Sequence, residues 1–229
     1  MFESKYSKVL TVILIVVIIA ILGLLGFLAF SFYNNYVTKN DAAAFVDDFK
    51  GEVNADENTQ VGDANTTNNG ENPLDQIQST GTGSGNSNER PTFKGFGVVG
   101  AIEIPKTNCE YPILDSDAMS PKGLETAVIF QWGAGINQVG NSVIVGHNYR
   151  NGMFFSNNKR LNAGDKIYVT DNAGTTLTYT IYDKFETTVS DTSFYQRDTA
   201  GKPEITLSTC TDDSSARLII CARVEDYNA

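Results

Sequence analysis

The sequence predicts a mostly β protein: a single closed β-barrel of seven to eight strands with short helices, preceded by a transmembrane helix and a disordered tether. Three observations lead to this prediction. An unbroken apolar run near the N-terminus is followed by a polar stretch rich in Gly, Ser and Asn. The remainder contains short apolar stretches separated by turn residues, without a long helical pattern. Many short strands with frequent turns are typical of a barrel or a sandwich.

The apolar run predicts a membrane anchor. Residues 9–32 are apolar apart from two hydroxyl residues and glycines, and a helix needs about 20 such residues to cross a bilayer. No small-residue cleavage site follows the run, so we expect an uncleaved signal anchor. Lys5 and Lys8 favour a cytoplasmic N-terminus, which we assign to residues 1–8, with the C-terminal bulk outside the cell.

Residues 33–92 are interpreted as a juxtamembrane segment and a flexible acidic linker. Phe45, Val46 and Phe49 among charged residues indicate a short juxtamembrane helix over 33–50. From about residue 51 the chain is too polar to offset the entropy of ordering it. A coil of about 40 residues spans roughly 35 Å root-mean-square. The linker is therefore expected to tether a folded head, residues 93–229, to the membrane.

Charge and cysteine content exclude several classes of function. The formal net charge is −10, and residues 41–92 carry ten acidic residues against Lys50 and Arg90. The head has no basic stripe, so nucleic acid is not an expected partner. Three cysteines are too few for a disulfide framework, and one histidine without a Cys-x-x-Cys pair argues against a structural zinc site. We expect no cofactor and no metal.

The head is read as seven strands with one short helical turn. Ser120 is suited to cap that turn and Pro121 to its first position. Alternation is clearest where Leu177, Tyr179 and Ile181 share one face and threonines the other. The predicted strands are 97–104, 109–114, 142–146, 166–170, 176–182, 204–210 and 217–224.

The last two strands carry the residues of greatest chemical interest. Period-two alternation places Cys210, at the end of one strand, and Arg217, at the start of the next, on the same outer face of a hairpin. Cys221 would then lie opposite Thr206, roughly 13 Å from Cys210 and too far for a disulfide. Cys210 is therefore expected to be a free thiol beside a fixed positive charge.

A thiol in this position could act as a nucleophile, because cations stabilise the reactive thiolate. His147, the single histidine, is the imidazole available as general acid or base. Arg217 stays charged and could stabilise an oxyanion. Two other readings compete: a lone strand cysteine is more often a buried hydrophobe, and Arg223 shares the face of Arg217 but lies farther from the hairpin mouth.

Three separated stretches resemble the sortase family. These are Thr-Leu-Ser-Thr-Cys at 206–210, Arg217 before an apolar strand, and Gly-Asn-Ser-Val-Ile-Val-Gly-His-Asn at 140–148. The resemblance extends over about residues 97–224, which is nearly the whole head. The serine before Thr209 is similar to class B enzymes, whereas the short stretch 185–203 favours other classes, so the chain is class B- or D-like.

The resemblance implies a β-barrel cysteine transpeptidase on the outer face of a Gram-positive cell membrane. Such enzymes cleave an LPxTG-like sorting signal after its threonine, through a thioacyl intermediate. The implied partners are surface proteins with a C-terminal sorting signal and an amine acceptor, such as a peptidoglycan precursor or a pilin lysine. Matched residue by residue, Cys210 is the nucleophile, His147 the acid/base and Arg217 the transition-state stabiliser.

Two other functions remain open at the level of the sequence. A membrane-tethered hydrolytic cysteine protease would use the same residues but resolve the acyl-enzyme with water. A non-catalytic β-sandwich binding module would have no reactive thiol, so a thiol-specific reagent would leave its function intact.

Overall fold

A long N-terminal helix and a β-barrel make up the described part of the chain. The structure is a computed structural model that describes residues 3–57 and 90–227, with side chains for residues 10–52 and 90–227. It divides into two compact units, residues 1–42 and 43–229. Residues 58–89 of the predicted tether lie outside the described residues.

Helix α1 (Glu3–Glu57) contains the predicted membrane anchor. Its segment from Leu10 is long and apolar enough to cross a membrane, and its large apolar side chains are exposed on every face. The helix continues through residues 33–50, as the sequence predicts, and on to residue 57. Residues 51–57, which the sequence assigns to the tether, are therefore helical, because adding a residue to an existing helix avoids the cost of nucleation.

Nine strands form one sheet in the second unit, together with the short helix α2 (Pro121–Thr126) and three single 3₁₀ turns. The Ser120 hydroxyl accepts a hydrogen bond from the Gly123 amide at 3.1 Å, so the predicted cap and the Pro at the first helical position are confirmed. The strands are β1 (Thr92–Phe93), β2 (Phe96–Ile104), β3 (Cys109–Leu114), β4 (Val128–Gly133), β5 (Gly140–Val145), β6 (Lys166–Asp171), β7 (Thr176–Thr187), β8 (Pro203–Cys210) and β9 (Arg217–Arg223).

The sheet closes into an eight-stranded barrel. Its order is β1-β2-β3-β4-β5-β8-β9-β7-β6, and β6 pairs back onto β2. The short β1 pairs with β2 as an appendage. Most pairs are antiparallel, but β5 runs parallel to β8 and β3 parallel to β4. The barrel interior is filled by fully buried apolar side chains such as Tyr111, Ile144, Ile167 and Leu207. The predicted closed, mostly β architecture is confirmed.

Three strands differ from the sequence-based assignment for physical reasons. Strand β1 was not predicted, because two residues are too few to show alternation. Strand β4 was not predicted, because its apolar run is short and only Val128 and Ile129 in it are buried. Strand β7 extends five residues beyond the predicted end at Tyr182. The added residues, 183–187, pair with β9 after a register shift between Ile181 and Asp183. They are strand because of these backbone hydrogen bonds, although they do not alternate between apolar and polar residues.

The C-terminal part of α1 packs against the start of the barrel within the second unit. The Phe45 ring lies 5.0 Å from the Phe93 ring of β1, and Phe49 is buried. Lys50 forms an ion pair with Glu103 of β2. Residues 43–52 therefore belong to the folded unit by their contacts.

A loop without helix or strand, residues 188–202 between β7 and β8, packs on the outer face of the barrel. Phe194 of this β7–β8 loop forms a small second core with Val143, Ile219 and Cys221. The outer face predicted for Cys210 and its neighbours is thus covered over most of its length, and Thr206 and Ser208 are buried. The hairpin mouth is accessible, and Cys210 lies half-buried there.

Candidate active site

Cys210 and Arg217 face each other across the mouth of the β8–β9 hairpin. They are direct cross-strand partners, and the Arg217 guanidinium donates a hydrogen bond to the Cys210 sulfur at 2.8 Å. Cys221 pairs with Thr206, four residues along the same ladder, and none of the three cysteines is in a disulfide. The register is the one that alternation predicts, so a permanent cation lies against the thiol.

The six-residue turn between these two residues is fixed by its own side chains. Asp213 accepts hydrogen bonds from the Thr211 hydroxyl at 2.7 Å and from the Ser215 amide at 3.1 Å. These hydrogen bonds, with that of Thr211 the strongest, lower the pKa of Asp213 to about 2. The Thr211 amide also donates to the carbonyl of Ala216. A turn held in this way supports the β8–β9 ladder in keeping Arg217 opposite Cys210.

Parallel pairing of β5 with β8 brings His147 to the same place. Val145 lies beside Ser208, so His147, two residues beyond β5, lies at the level of Cys210. The Gly146 amide donates to the Ser208 carbonyl at 3.2 Å, and the Thr209 hydroxyl donates to the Gly146 carbonyl at 2.7 Å. A Cβ at position 146 would lie 2.8 Å from the Phe155 ring, so this close approach requires glycine.

Asn148, which the sequence analysis did not assign to the site, ties the histidine segment to the cysteine strand. Its amide donates to the Cys210 carbonyl at 2.9 Å and to Asp212 at 3.0 Å. Asp212 is also paired with Lys159 at 2.6 Å. Strand spacing alone does not reveal an orienting Asp or Asn. The available signal was that Asn148 directly follows His147.

The environment of His147 favours its neutral form. Burial of the imidazole is the main reason that the pKa of His147 is lowered. The Glu125 carboxylate acts in the opposite direction, and the Arg217 guanidinium lowers the pKa further. The His147 ring lies 4.7 Å from the ring of Tyr149. Neutral His147 is therefore favoured over a wider pH range than it would be for a fully solvated imidazole.

All three predicted residues line one groove with a volume of about 240 Å³. Met119 and Leu124 form one wall, and the β7–β8 loop forms another. Neither wall was predicted. The turn that became α2 was expected from its cap but not placed beside Cys210, and the residues of the β7–β8 loop have no periodicity from which a position could be inferred. The lining residues are Met119, Leu124, Gln131, Val145, Gly146, His147, Val189, Asp191, Thr192, Phe194, Tyr195, Ser208, Thr209, Cys210 and Arg217.

The other candidates lie away from the groove. Arg223 is exposed, and its guanidinium lies 5.0 Å from the centre of the Tyr182 ring. Cys109 and Cys221 are buried. Within residues 3–57 and 90–227, no group of three or more His, Cys, Asp or Glu side chains is placed to hold a metal ion.

A closed β-barrel thus holds a thiol, an imidazole and a guanidinium in one groove, an arrangement of groups that is suited to thiol-dependent acyl transfer. The sortase-domain family model matches residues 102–225, more than half of the chain. The chain therefore belongs to the sortase family.

Individual relatives agree with this assignment. The chain is 35% identical over 135 residues to Sortase A of Bacillus anthracis, a match that covers 54% of this chain and 58% of that protein. Sortase A from Corynebacterium diphtheriae, a lid mutant, has a TM-score of 0.51 at 28% identity, covering 62% of this chain and 74% of that one. A Clostridium perfringens Sortase D5 transpeptidase has a TM-score of 0.51 at 26% identity, covering 57% and 80%.

The electrostatic environment of His147 gives a testable titration. NMR of the single histidine should give a pKa below the ordinary value of 6.5, because burial disfavours the imidazolium. Glu125→Gln should lower this pKa further, since it removes a stabilising negative charge. Arg217→Gln should raise it, since it removes a repelling positive charge. A step that needs the imidazolium is consequently favoured on the acid side of neutrality.

A matched control is Glu225→Gln, which removes an exposed carboxylate beyond the opposite end of β9 and should leave the titration unchanged. A pKa at or above 6.5, or shifts of the same sign in Glu125→Gln and Arg217→Gln, would show that the stated environment of His147 is wrong.

Proposed function

We propose that this protein is an extracytoplasmic cysteine transpeptidase. It cleaves an LPxTG-like sorting signal, holds the acyl group on Cys210 as a thioester and transfers it to an amine. The observation that carries this proposal is the hydrogen bond from Arg217 to the Cys210 sulfur in a groove that also contains His147. Membership of the sortase family, and the description of the Clostridium perfringens relative as a transpeptidase, support it.

In the first half-reaction the Cys210 thiolate attacks the carbonyl carbon of the threonine–glycine peptide bond. A carbon–sulfur bond forms, and the carbonyl oxygen takes up negative charge. Arg217, released from the sulfur as that charge moves, donates its hydrogen bond to the oxyanion. The carbon–nitrogen bond then breaks, and the departing amine takes a proton from the His147 imidazolium. The products are a thioester on Cys210 and a neutral His147.

In the second half-reaction an acceptor amine attacks the thioester carbonyl. Neutral His147 takes a proton from the attacking nitrogen, a carbon–nitrogen bond forms, and the carbon–sulfur bond breaks. The thiolate and the imidazolium are regenerated. The same imidazole therefore acts as acid and then as base. The lowered pKa of His147 makes its imidazolium a stronger acid towards the departing amine.

The proposed location of the protein in the cell membrane is based on the apolar segment of α1. Residues 9–32 span the cell membrane, residues 1–8 are cytoplasmic because of Lys5 and Lys8, and the catalytic domain, residues 93–229, lies outside. Residues 33–92 connect the two. The proposed donors are surface proteins that carry a C-terminal sorting signal, and the acceptor is an amine on a peptidoglycan precursor or a pilin.

Substitution of the proposed nucleophile tests the chemistry directly. The full chain in detergent is incubated with an LPxTG-containing peptide, and intact mass spectrometry should show the mass of one acyl group added to the wild type. Cys210→Ala should show none, because the attacking sulfur is gone. Cys109→Ala removes a buried thiol elsewhere in the barrel and should still be acylated. Acylation of the Cys210→Ala variant would refute Cys210 as the nucleophile.

The two arginines of β9 provide a second test. Arg217→Ala should lower kcat/KM by about 10² or more, as loss of an oxyanion donor does. Arg223→Ala should change it by less than about twofold, because an exposed side chain away from the groove contributes little to the site. If Arg223→Ala were the more damaging change in the peptide-cleavage assay, the proposed role of Arg217 would be wrong.

A further inference from the structure

The β7–β8 loop supplies a third of the groove-lining residues but has no secondary structure of its own. Its contributions are Val189, Asp191, Thr192, Phe194 and Tyr195. Fifteen residues without helix or strand have no ladder hydrogen bonds to fix their position. The shape of the groove therefore depends on whatever holds this loop against the barrel.

One side chain of the loop, Arg197, donates hydrogen bonds from all three guanidinium nitrogens. Its Nε donates to Glu204 of β8 at 2.5 Å, and Nη1 donates to the Thr206 hydroxyl at 2.8 Å. Nη2 donates to the side-chain oxygen Oδ1 of Asn141, a residue of β5, at 2.9 Å. Nη1 also donates to the backbone carbonyl of Phe194 at 3.1 Å. Arg197 thus joins two barrel strands to the loop.

Asn141 completes the attachment. Its amide nitrogen donates to the Tyr195 carbonyl at 2.8 Å and to the Phe194 carbonyl at 3.2 Å. The backbone of two groove-lining residues is therefore held by a single polar cluster, composed of Arg197, Asn141, Glu204 and Thr206. We call it the loop anchor.

Burial makes the loop anchor costly to break. Glu204, Asn141 and Thr206 are 5%, 6% and 0% exposed. Loss of the arginine would leave a buried carboxylate without its cation and the buried Thr206 hydroxyl without the donor that Nη1 supplies. The Asn141 side-chain oxygen would lose one of its two donors and keep the Thr206 hydroxyl at 2.9 Å. Tyr182 also donates to Glu204 at 2.9 Å, but a neutral hydroxyl does not replace the charge. A lysine could not reproduce the planar set of donors either.

We propose that Arg197 is a positioning residue that fixes the β7–β8 loop over the groove and thereby sets the affinity and side-chain selectivity for the acyl donor. Arg197 does not line the groove and acts through Phe194 and Tyr195. The inference rests on the proposed function, because the ligand of the groove is taken to be the sorting-signal peptide. The loop anchor itself is independent of that function.

The activity test compares Arg197→Gln and Arg197→Lys with Arg223→Gln in the full chain. Arg223 is a demanding control, because its guanidinium also lies over the Tyr182 ring and its backbone pairs with that of Glu204, whereas its side chain is exposed. In Arg197→Gln, KM for an LPxTG peptide should rise about tenfold or more, with kcat changed by less than about threefold, since binding and not chemistry is affected. Discrimination against peptides with altered Leu or Pro positions should weaken. In Arg197→Lys, the rise in KM and the weakening of discrimination should be smaller than in Arg197→Gln but still measurable.

Two measurements without a peptide separate failure of this inference from failure of the proposed function. Hydrogen exchange of residues 188–202 should accelerate in Arg197→Gln, while that of β9 is unchanged, and Arg223→Gln should match the wild type. Alkylation of Cys210 by iodoacetamide should change by less than about threefold, because the thiol and Arg217 are untouched. Should Arg197→Gln fail to fold, Thr206→Val removes one acceptor of the loop anchor and should show the same changes at smaller amplitude.

Unchanged exchange of the β7–β8 loop would overturn the loop anchor, whatever the peptide assay gives. Faster exchange together with lower kcat at constant KM would overturn the role in donor binding. Faster exchange in a chain whose wild type is never acylated would retain the loop anchor and reject the proposed function.

Discussion

Strand β8 is the constraint on which the rest of the site depends, because its two ladders place every reactive group. The antiparallel ladder to β9 sets Arg217 against Cys210, and the parallel ladder to β5 brings the segment after Val145 to the same level. A slip of one residue in either ladder would turn the side chains to the opposite face. The Thr209–Gly146 and Asn148–Cys210 hydrogen bonds hold the second ladder in register where β5 ends.

Backbone ladders hold the proposed catalytic residues, whereas side-chain hydrogen bonds hold the loop that forms a wall of the groove. His147, Cys210 and Arg217 stand at strand ends, which are supported by ladders and by the capped turn at Asp213. The groove wall opposite them is an irregular loop held through Arg197 and Asn141. A buried charged cluster of this kind contributes geometric specificity more than stability, because desolvation offsets much of the attraction between its charges.

Period-two alternation predicted the final hairpin, its register and its accessible end, since a barrel strand with one interior face has a strict pattern. The same rule could not predict β4, whose pairing with β3 is short, or the extension of β7 through charged residues. It also treated the outer face of Thr206 and Ser208 as open. Phe194 covers that face from a loop, and a loop position follows from tertiary contacts such as those of Arg197, which sequence periodicity does not contain. Asn148 was overlooked for the same reason.

The central claim, that the thioester on Cys210 is resolved by an amine, is tested most directly by the products formed with and without an acceptor. The full chain is incubated with an LPxTG-type peptide, with and without oligoglycine, and the products are quantified by mass spectrometry. We expect a ligated peptide whose yield grows with oligoglycine concentration, while the yield of the hydrolysis product, the peptide that ends in a threonine carboxylic acid, declines. Formation of the free acid alone at every oligoglycine concentration would contradict it and assign the groove to a hydrolytic protease.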